Sequence, residues 1–420
     1  MSHIYEGCRA TDPVAGKGGI GDFSEGGGAE MRRWARFRTL WTRRTISGPL
    51  LLCLALVLTG TAAWGQNWIW KAETVDKSGQ TPYLAIDPRG NLHITYIKDG
   101  VMYGFRPAES PKWFTMSIGA KAENAYAAVA TDLQGNPRIC YTSYEELHYA
   151  AYMGGHWNIQ PVGENLGAIE YTCSLAIGPD GAPHMIWYQY TDRSRSTFLH
   201  LKYATERNGA WLAQTLDFDG ETGKWNSLLL DREGNPHISY SAFTKGDLKC
   251  AYWNGKSWVI SVVDARGLSQ GTATRGMGNS LALTSEGTAL ISYFEDQNLK
   301  FARQTGNTWK REIVDSLSSM ASVGFYGSRT SLVLDKLGNP HIFYGDVGRL
   351  KHAYWDGTRW RIQVIESGAG GQFSQVVAVM DQDDTIYIAY TDPGDDSIKV
   401  SIGRRLPSPQ TTETTNDGKK

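Results

Sequence analysis

The chain has 420 residues, enough for one large domain or roughly two or three ordinary ones, and its formal net charge is −1. A charge so close to zero offers no electrostatic footprint for nucleic acid, so we exclude nucleic-acid binding. The 47 glycines, 15 tryptophans and 21 tyrosines favour short strands joined by glycine turns over helices.

The first 65 residues differ from the rest of the chain. Residues 1–30 are glycine-rich without periodicity, and "MRRWARFRTLWTRR" then carries six arginines and no acidic residue. The apolar run "PLLLCLALVLTGTAAW" follows, and Ala63 and Gly65 suit a small-x-small cleavage site. This order predicts a signal peptide cleaved before Gln66, and hence a secreted, periplasmic or cell-surface protein. An uncleaved membrane anchor is the alternative, and Met31 is an alternative start.

Two sequence markers then repeat seven times. The first is a tryptophan followed six residues later by a small or acidic residue, as in "WVISVVD" from Trp258. The second is a decapeptide with a turn and a strand, as in "DREGNPHISY" from Asp231, and a third apolar segment such as "LKCAYW" lies between them. Successive tryptophan markers are 43 to 54 residues apart. That period predicts four-stranded β-propeller blades, with strands A to D from the inside outward.

The ends of the repeat predict how the ring closes. The strand at Trp70 precedes the first set of A, B and C strands, and the last set has no tryptophan strand after it. We therefore predict an all-β fold over residues 66–405: a seven-bladed β-propeller of four-stranded antiparallel blades, closed by the N-terminal strand that completes the last blade. Residues 406–420 are polar, and we expect a disordered tail.

Three cysteines follow the leader: Cys140, Cys173 and Cys250. None has the spacing of a metal site, so we expect no metal and no cofactor. Their positions in strands indicate small buried thiols. A disulfide between Cys140 and Cys173 is the alternative, because export would permit it.

The repeat resembles bacterial secreted propellers of the sialidase-like (BNR-type) and lectin-like group, from about Trp68 to Arg405. "NGKSW" and "DGTRW" match the G-x-x-W half of the S-x-D-x-G-x-x-W box of sialidases. The resemblance implies the propeller fold. The chain departs from sialidases in its number of units, and no three-arginine carboxylate clamp or Tyr/Glu nucleophile pair can be recognised in it.

The repeated histidine of the decapeptide raises the question of catalysis. It occurs at His93, His184, His237 and His341, with Arg138, Leu290 and Tyr387 at the same place in other blades. A position that accepts such different residues indicates packing between blades or hydrogen bonding to the turn. The tryptophan of each blade indicates packing for the same reason, and a sugar-stacking platform is the alternative.

The D–A and B–C loops share one face of a propeller, and here they vary most, as in "DARGLSQGTATRGMGNS" and "YQYTDRSRST". Long variable loops on a rigid ring are the usual place for binding. The candidate ligand contacts on this face are Tyr126, Glu145, Tyr190, Asp192, Trp225, Arg275, Asp296, Tyr326 and Arg329. Aromatic faces with carboxylates and arginines suit a carbohydrate or a polar polymer. The alternative is that these are ordinary exposed loop residues.

Three candidates are distinguished by position: Tyr126, Trp225 and Arg329 lie six residues before the turn of their blade. The seven equivalent residues are Thr81, Tyr126, Thr172, Trp225, Gly278, Arg329 and Gln375. A packing position would repeat its residue type, and this one does not. We therefore expect Trp225 to be exposed at the mouth of the channel, with Tyr126 and Arg329 near it.

These observations favour a non-catalytic binding or scaffold module, a monomer that recognises glycans or another extracellular partner. The alternative is a sialidase-like glycoside hydrolase or a polysaccharide lyase. Two carboxylates roughly 5 to 10 Å apart, or a Tyr–His–Arg group in one pocket, would favour the enzyme.

Overall fold

The computed structural model of the protein describes residues 68–121, 126–143, 146–163, 169–190, 199–265, 277–318, 329–368, 371–373 and 375–406. The described residues form 28 strands in seven four-stranded antiparallel sheets. No helix among them is long and apolar enough to span a membrane. The all-β, seven-bladed prediction is confirmed. The expected leader, residues 1–65, lies outside the described residues, as does the expected tail from residue 407 onward.

Each blade consists of four strands that run outward from the ring axis. Blade 1 contains β2 Gln80–Ile86, β3 Leu92–Ile97, β4 Val101–Arg106 and β5 Phe114–Ser117. Blade 2 contains β6 Ala127–Thr131, β7 Pro137–Ser143, β8 Glu146–Met153 and β9 His156–Val162. Blade 3 contains β10 Ile169–Ile177, β11 Pro183–Tyr190, β12 Leu199–Arg207 and β13 Ala210–Asp217. Blade 4 contains β14 Thr222–Leu230, β15 Pro236–Ala242, β16 Asp247–Trp253 and β17 Trp258–Asp264.

The remaining blades follow the same order. Blade 5 contains β18 Met277–Leu283, β19 Ala289–Glu295, β20 Asn298–Thr305 and β21 Thr308–Ser316. Blade 6 contains β22 Ser331–Leu334, β23 Pro340–Asp346, β24 Arg349–Trp355 and β25 Trp360–Ser367. Blade 7 contains β26 Val376–Met380, β27 Ile386–Thr391 and β28 Ile398–Arg405, with β1 Trp68–Asp76 as its outer strand. The innermost strands contact one another around the ring, and β26 contacts β2.

The outer strand of blade 7 comes from the other end of the sequence. β1 pairs antiparallel with β28, and Trp68 lies opposite Arg405. Trp68 is buried and packs edge-on against His341 of blade 6, with the ring centroids 5.4 Å apart. Blade 7 therefore contains strands from both ends of the propeller sequence, in the arrangement that the markers predicted.

The two sequence markers meet at the blade boundaries. In five of the seven blades the tyrosine that ends the decapeptide donates a hydrogen bond to the acid that ends the tryptophan strand of the preceding blade. The pairs are Tyr96–Asp76, Tyr240–Asp217, Tyr293–Asp264, Tyr344–Asp315 and Tyr390–Glu366. A lysine of the same blade as the tyrosine shares four of these acids; these lysines are Lys98, Lys249, Lys300 and Lys351. At these five boundaries the two markers together join one blade to the next.

Two boundaries lack this acid. Between blades 1 and 2 the acid position is Gly119, and the facing Tyr141 stacks on His148 with ring centroids 4.9 Å apart. Between blades 2 and 3 it is Gly163, where a Cβ atom would lie 3.3 Å from the ring of Trp187. Trp187 takes the place of the tyrosine, so its larger ring fills the space that an acid would need.

The aspartate at the head of the decapeptide organises the turn. Asp87 Oδ1 accepts hydrogen bonds from the backbone amides of Arg89 and Asn91, at 2.8 and 2.9 Å. Its other oxygen lies 3.6 Å from Nε2 of His93, whose Nδ1 is 2.7 Å from the hydroxyl of Tyr103. The expected structural role of the repeated histidine therefore agrees with its buried, bonded position.

The tryptophan of each outer strand packs against the preceding blade. Trp157 packs edge-to-face against Tyr103 with ring centroids 5.2 Å apart, and Trp258 packs in the same way against Tyr203 at 5.0 Å. Cys140, Cys173 and Cys250 are buried free thiols, and no disulfide joins them. Burial raises the pKa of Cys140 well above its ordinary value, and the neighbouring thiol of Cys173 raises it further.

Candidate functional site

Five of the nine site residues predicted from the sequence have no described side chain. Glu145, Asp192, Arg275 and Tyr326 are outside the described residues. Tyr190 is the last residue of β11, where its backbone pairs with Leu199. The described candidates are Tyr126, Trp225, Asp296 and Arg329.

Asp296 forms a turn. It connects β19 to β20 with a φ of 50°, in the left-handed region that aspartate tolerates better than most residues. Asp99, with a φ of 54°, holds the same place between β3 and β4 of blade 1. The residue type at this position therefore has a conformational explanation.

The expectation that Trp225 is exposed is wrong. Only 6% of its surface is accessible, because the indole belongs to the core cluster between blades 4 and 5 with Met277 and Phe294. Lys224 covers it, with Nζ 5.5 Å from the ring centroid. The equivalent position in blade 5 is Gly278, which brings no side chain. A packing position can therefore change its residue type from blade to blade, because a large side chain in one blade can fill the core space beside a glycine in the next.

The seven equivalent residues, from Thr81 to Gln375, begin the innermost strands, and we call their places the axial positions. Four of the innermost strands are bulged here, because their pairing with the next strand shifts register; these are β2, β10, β14 and β18. Thr81, Trp225 and Gly278 have positive φ angles of 51°, 49° and 55°. A bulge turns a side chain away from the regular alternation, which is why bulges are frequent beside binding sites.

Five consecutive axial positions, from blade 6 to blade 3, carry polar residues, and we call the first four, whose side chains the structure describes, the axial arc. Around the ring from blade 6 to blade 2 the arc consists of Arg329, Gln375, Thr81 and Tyr126. Two of its four residues, Tyr126 and Arg329, are among the candidates named from the sequence.

Arg329 faces the opposite side of the ring. Burial lowers the pKa of its guanidinium, and the side chains of Tyr83, Tyr126 and Cys173 lie near enough to oppose that shift. These neighbours belong to blades 1, 2 and 3, whereas Arg329 precedes blade 6, so the guanidinium lies at the axis. Its Nη2 atom is buried and has no hydrogen-bond partner. No carboxylate among the described residues forms an ion pair with it.

Thr81 adds a second unsatisfied group. Its Oγ1 is buried without a hydrogen-bond partner, and its φ of 51° is unusual for a β-branched residue. Residues held in such conformations cost about 1–3 kcal/mol each and cluster at functional sites. The strain and the unsatisfied hydroxyl group therefore coincide at one axial position.

Tyr83 was missed by the sequence reasoning. It lies two residues after Thr81, where five other blades carry serine or alanine: Ala128, Ser174, Ser227, Ser280 and Ser331. In blades 4 to 6 that serine accepts a backbone N–H of the next innermost strand, as Ser280 does from Leu332 at 3.0 Å. Burial raises the pKa of the Tyr83 phenol, and the nearby Arg329 opposes the rise. A single large residue at a position of small ones was the available signal.

A cavity of 470 Å³ on the face of the A–B turns contains a Tyr–His–Arg group. His184 Nδ1 lies 2.7 Å from the hydroxyl of Tyr203, and Arg207 also lines the cavity. Burial raises the pKa of Tyr203 to about 12 and lowers that of His184. The pair recurs in blade 1 as His93 and Tyr103, so it belongs to the repeat.

The described acids offer no cluster suited to a metal, since no group of three or more His, Cys, Asp or Glu side chains could hold an ion within these ranges. On the D–A face the acids that end the outer strands are bound by tyrosine and lysine. Asp264, for example, accepts from Tyr293 at 2.6 Å and from Lys300 at 2.7 Å. Such carboxylates already accept hydrogen bonds from neighbouring side chains.

The sequence matches no family model and no curated protein. Among solved structures, the polysaccharide lyase Uly1 is similar with a TM-score of 0.51 and 9% identity, over 78% of this chain and 90% of the lyase. YCF48 from Cyanidioschyzon merolae has a TM-score of 0.50 and 13% identity, over 79% and 98% of the two chains. The sialidase NanB from Streptococcus pneumoniae has a TM-score of 0.41 and 9% identity, over 79% and 84%. At these identities the likeness is one of fold.

Proposed function

We propose that the protein is a non-catalytic binding module that recognises a glycan through the axial arc on its D–A face. One observation carries this proposal: the axial arc contains both a strained backbone and buried polar groups without hydrogen-bond partners. Other buried polar atoms of the described residues also lack a hydrogen-bond partner, and most of them are tryptophan Nε1 atoms. The axial arc differs because a guanidinium nitrogen, Arg329 Nη2, and a hydroxyl on a strained backbone, Thr81 Oγ1, both lack one there, and a bound ligand would supply these partners.

A glycan suits the arc chemically. Hydroxyl-rich sugars pair with amide, hydroxyl and guanidinium groups, all of which the arc contains, and they pack on aromatic rings such as Tyr126. Binding is favoured over turnover because hydrolysis needs two free carboxyl groups facing one bond. The described acids that end the outer strands on this face, Asp264 among them, are held by tyrosine and lysine.

The test is a glycan-array screen of the purified chain, followed by a turnover assay on every glycan that binds. We expect binding without the release of reducing ends or unsaturated products. Tyr126→Ala should weaken binding by about tenfold or more, equivalent to about 1.4 kcal/mol. Trp253→Ala, on the cavity of the opposite face, is the matched control and should leave binding unchanged. Loss of binding in the control alone would move the site to that face.

The lyase is the second candidate, because the group of Tyr203, His184 and Arg207 lies in one cavity. Against it, the tyrosine has a pKa of about 12 and the His–Tyr pair recurs in blade 1. If the cavity is catalytic, the screen will find turnover, and Tyr203→Phe will abolish that turnover while glycan binding persists. Turnover of that kind would replace the binding module with an enzyme.

Export is a separate part of the proposal and rests on the basic and apolar segments before Gln66. N-terminal sequencing of protein recovered from outside the cytoplasm should begin at or near Gln66. An intact leader on protein found only in the cytoplasm would contradict it.

A further inference from the structure

Arg329 carries an inference about the kind of ligand, which rests on the proposed function and deepens it. A guanidinium is always charged at physiological pH, and burying it without a counter-charge is costly. Two buried lysines on the same face have acids: Lys249 and Lys351 bind Asp217 and Asp315. Arg329 is partly buried, its Nη2 atom is fully buried, and no described carboxylate pairs with it.

We propose that the ligand carries an anionic group, a carboxylate or a sulfate, and that Arg329 binds this group at the axis of the ring. The planar fork of a guanidinium matches two oxygens of such a group, which gives short, charge-assisted hydrogen bonds. The buried Nη2 atom lacks one of these partners.

The neighbours of Arg329 fit an anionic sugar better than a free ion. Thr81 Oγ1 is unsatisfied in blade 1, and Tyr83 and Tyr126 present aromatic side chains in blades 1 and 2. The anionic group would lie on Arg329, and the body of the sugar would extend along the arc toward Tyr126. A ligand class with both parts is an oligosaccharide that contains uronic acid or sulfate ester groups.

Binding is measured by isothermal titration with three matched sets of oligosaccharides: uronate-containing, sulfated, and their neutral carboxyl-reduced or desulfated counterparts. We expect an anionic set to bind about tenfold or more tightly than its neutral counterpart. Arg329→Gln should remove that preference, and Arg329→Lys should keep it in weakened form, because lysine retains the charge without the fork. Arg303→Gln, which changes an exposed arginine on β20, is the control and should bind as the parent does. The two anionic sets distinguish carboxylate from sulfate.

Thermal unfolding in a buffer of neutral salts separates a binding role from a structural one. If Arg329 lacks its anionic partner in the free protein, Arg329→Gln removes a partly buried charge that no described carboxylate compensates, so the melting temperature should equal or exceed that of the parent. A lower melting temperature would mean that the protein itself satisfies the guanidinium, and it would overturn the inference.

Failure of the inference can be told from failure of the proposed function. Equal affinity for anionic and neutral sets, unchanged by Arg329→Gln, would overturn the anionic ligand and leave a glycan-binding module. The absence of binding to every set would overturn both. An acidic protein partner that competes at Arg329 would keep the anion site and overturn the glycan.

Discussion

Single side chains explain why the sequence repeats. The link between Tyr293 and Asp264, at 2.6 Å, is both a hydrogen bond to a charged acceptor and a contact between blades. Hydrogen bonds to charged groups contribute about 1.5–3 kcal/mol each. The repeat therefore preserves the tyrosine, the acid and the lysine as a set, while the residues between them vary.

The hydrogen bond between the tyrosine and the acid can be tested by comparison with a blade boundary that lacks the acid. Tyr293→Phe should lower the free energy of unfolding by about 1.5–3 kcal/mol, because Asp264 loses a buried donor. Tyr141→Phe is the matched control: it faces Gly119 instead of an acid, so its loss should be clearly smaller. Urea denaturation of both variants measures the difference. Equal losses would show that the acid contributes nothing to the tyrosine position.

The turn aspartates make stability depend on acid. Burial alone would raise the pKa of Asp87, but the nearby His93 and hydrogen bonds from the Asn91 side chain and two backbone amides lower it to about 2, and the pKa of Asp335 is also about 2. A carboxyl whose folded pKa is depressed contributes stability above its unfolded pKa. That stability is lost as the pH falls toward the folded pKa.

Between about pH 4 and pH 2 each of these turns should therefore lose about 2 kcal/mol. Chemical denaturation across this range measures the slope. Asp87→Asn should reduce the slope and lower the stability at neutral pH. A variant with the parent's acid slope would contradict the role of the turn carboxyl.

The candidate site could be predicted from the sequence only in part, and particular residues show why. Arg329 and Tyr126 were named as candidates because their position does not repeat, and their role in binding belongs to the proposal. The residue type at Trp225 does not repeat either, yet Trp225 is buried. Variation also arises at packed positions, where a large side chain in one blade fills the space beside a small residue in the next. Tyr83 escaped notice because its position is regular in the other blades. Sequence shows which positions vary, whereas burial decides which of them a ligand can reach.

At the scale of strands, β1 is the one that completes blade 7. It supplies the outer strand of blade 7 by pairing with β28 from Trp68 to Asp76. Deletion of residues 66–77 should expose the edge of β28 and the apolar residues packed beneath β1, such as Val400 and Phe343. We expect a lower melting temperature and a broader transition by calorimetry. Deletion of residues 407–420 is the control and should change neither.

Strand identity followed from the sequence more reliably than strand length. The decapeptide predicted each A–B hairpin, because Asp, Gly and Asn residues at fixed places specify the turn. The innermost strands depart from the prediction at their bulges, as at Thr81. No short-range signal marks a threonine with positive φ, since the surrounding ring imposes that conformation.

At the scale of the whole molecule, the two ends of the propeller sequence are neighbours. Because Trp68 lies opposite Arg405, a two-residue Asn-Gly linker could join them as a hairpin. A circular permutant joined in this way and opened between Gly255 and Lys256, in an exposed turn, should fold into the same ring. Its melting temperature should stay within a few degrees of the parent's. Failure to fold would mean that blade 7 must close the ring last.

The two boundaries without an acid give the ring a seam. Blade 2 is joined to its neighbours by packing around Gly119 and Gly163, where other boundaries have a charged link. Local opening occurs first where contacts are weakest, so amide hydrogens of β6 and β10 should exchange with deuterium sooner than those of β18 and β22. Tyr126 lies at this seam, and Arg329 approaches it from across the axis. A ligand bound between Tyr126 and Arg329 would connect the two sides of the ring across the axis. Its binding would be visible as slower amide hydrogen exchange in blade 2.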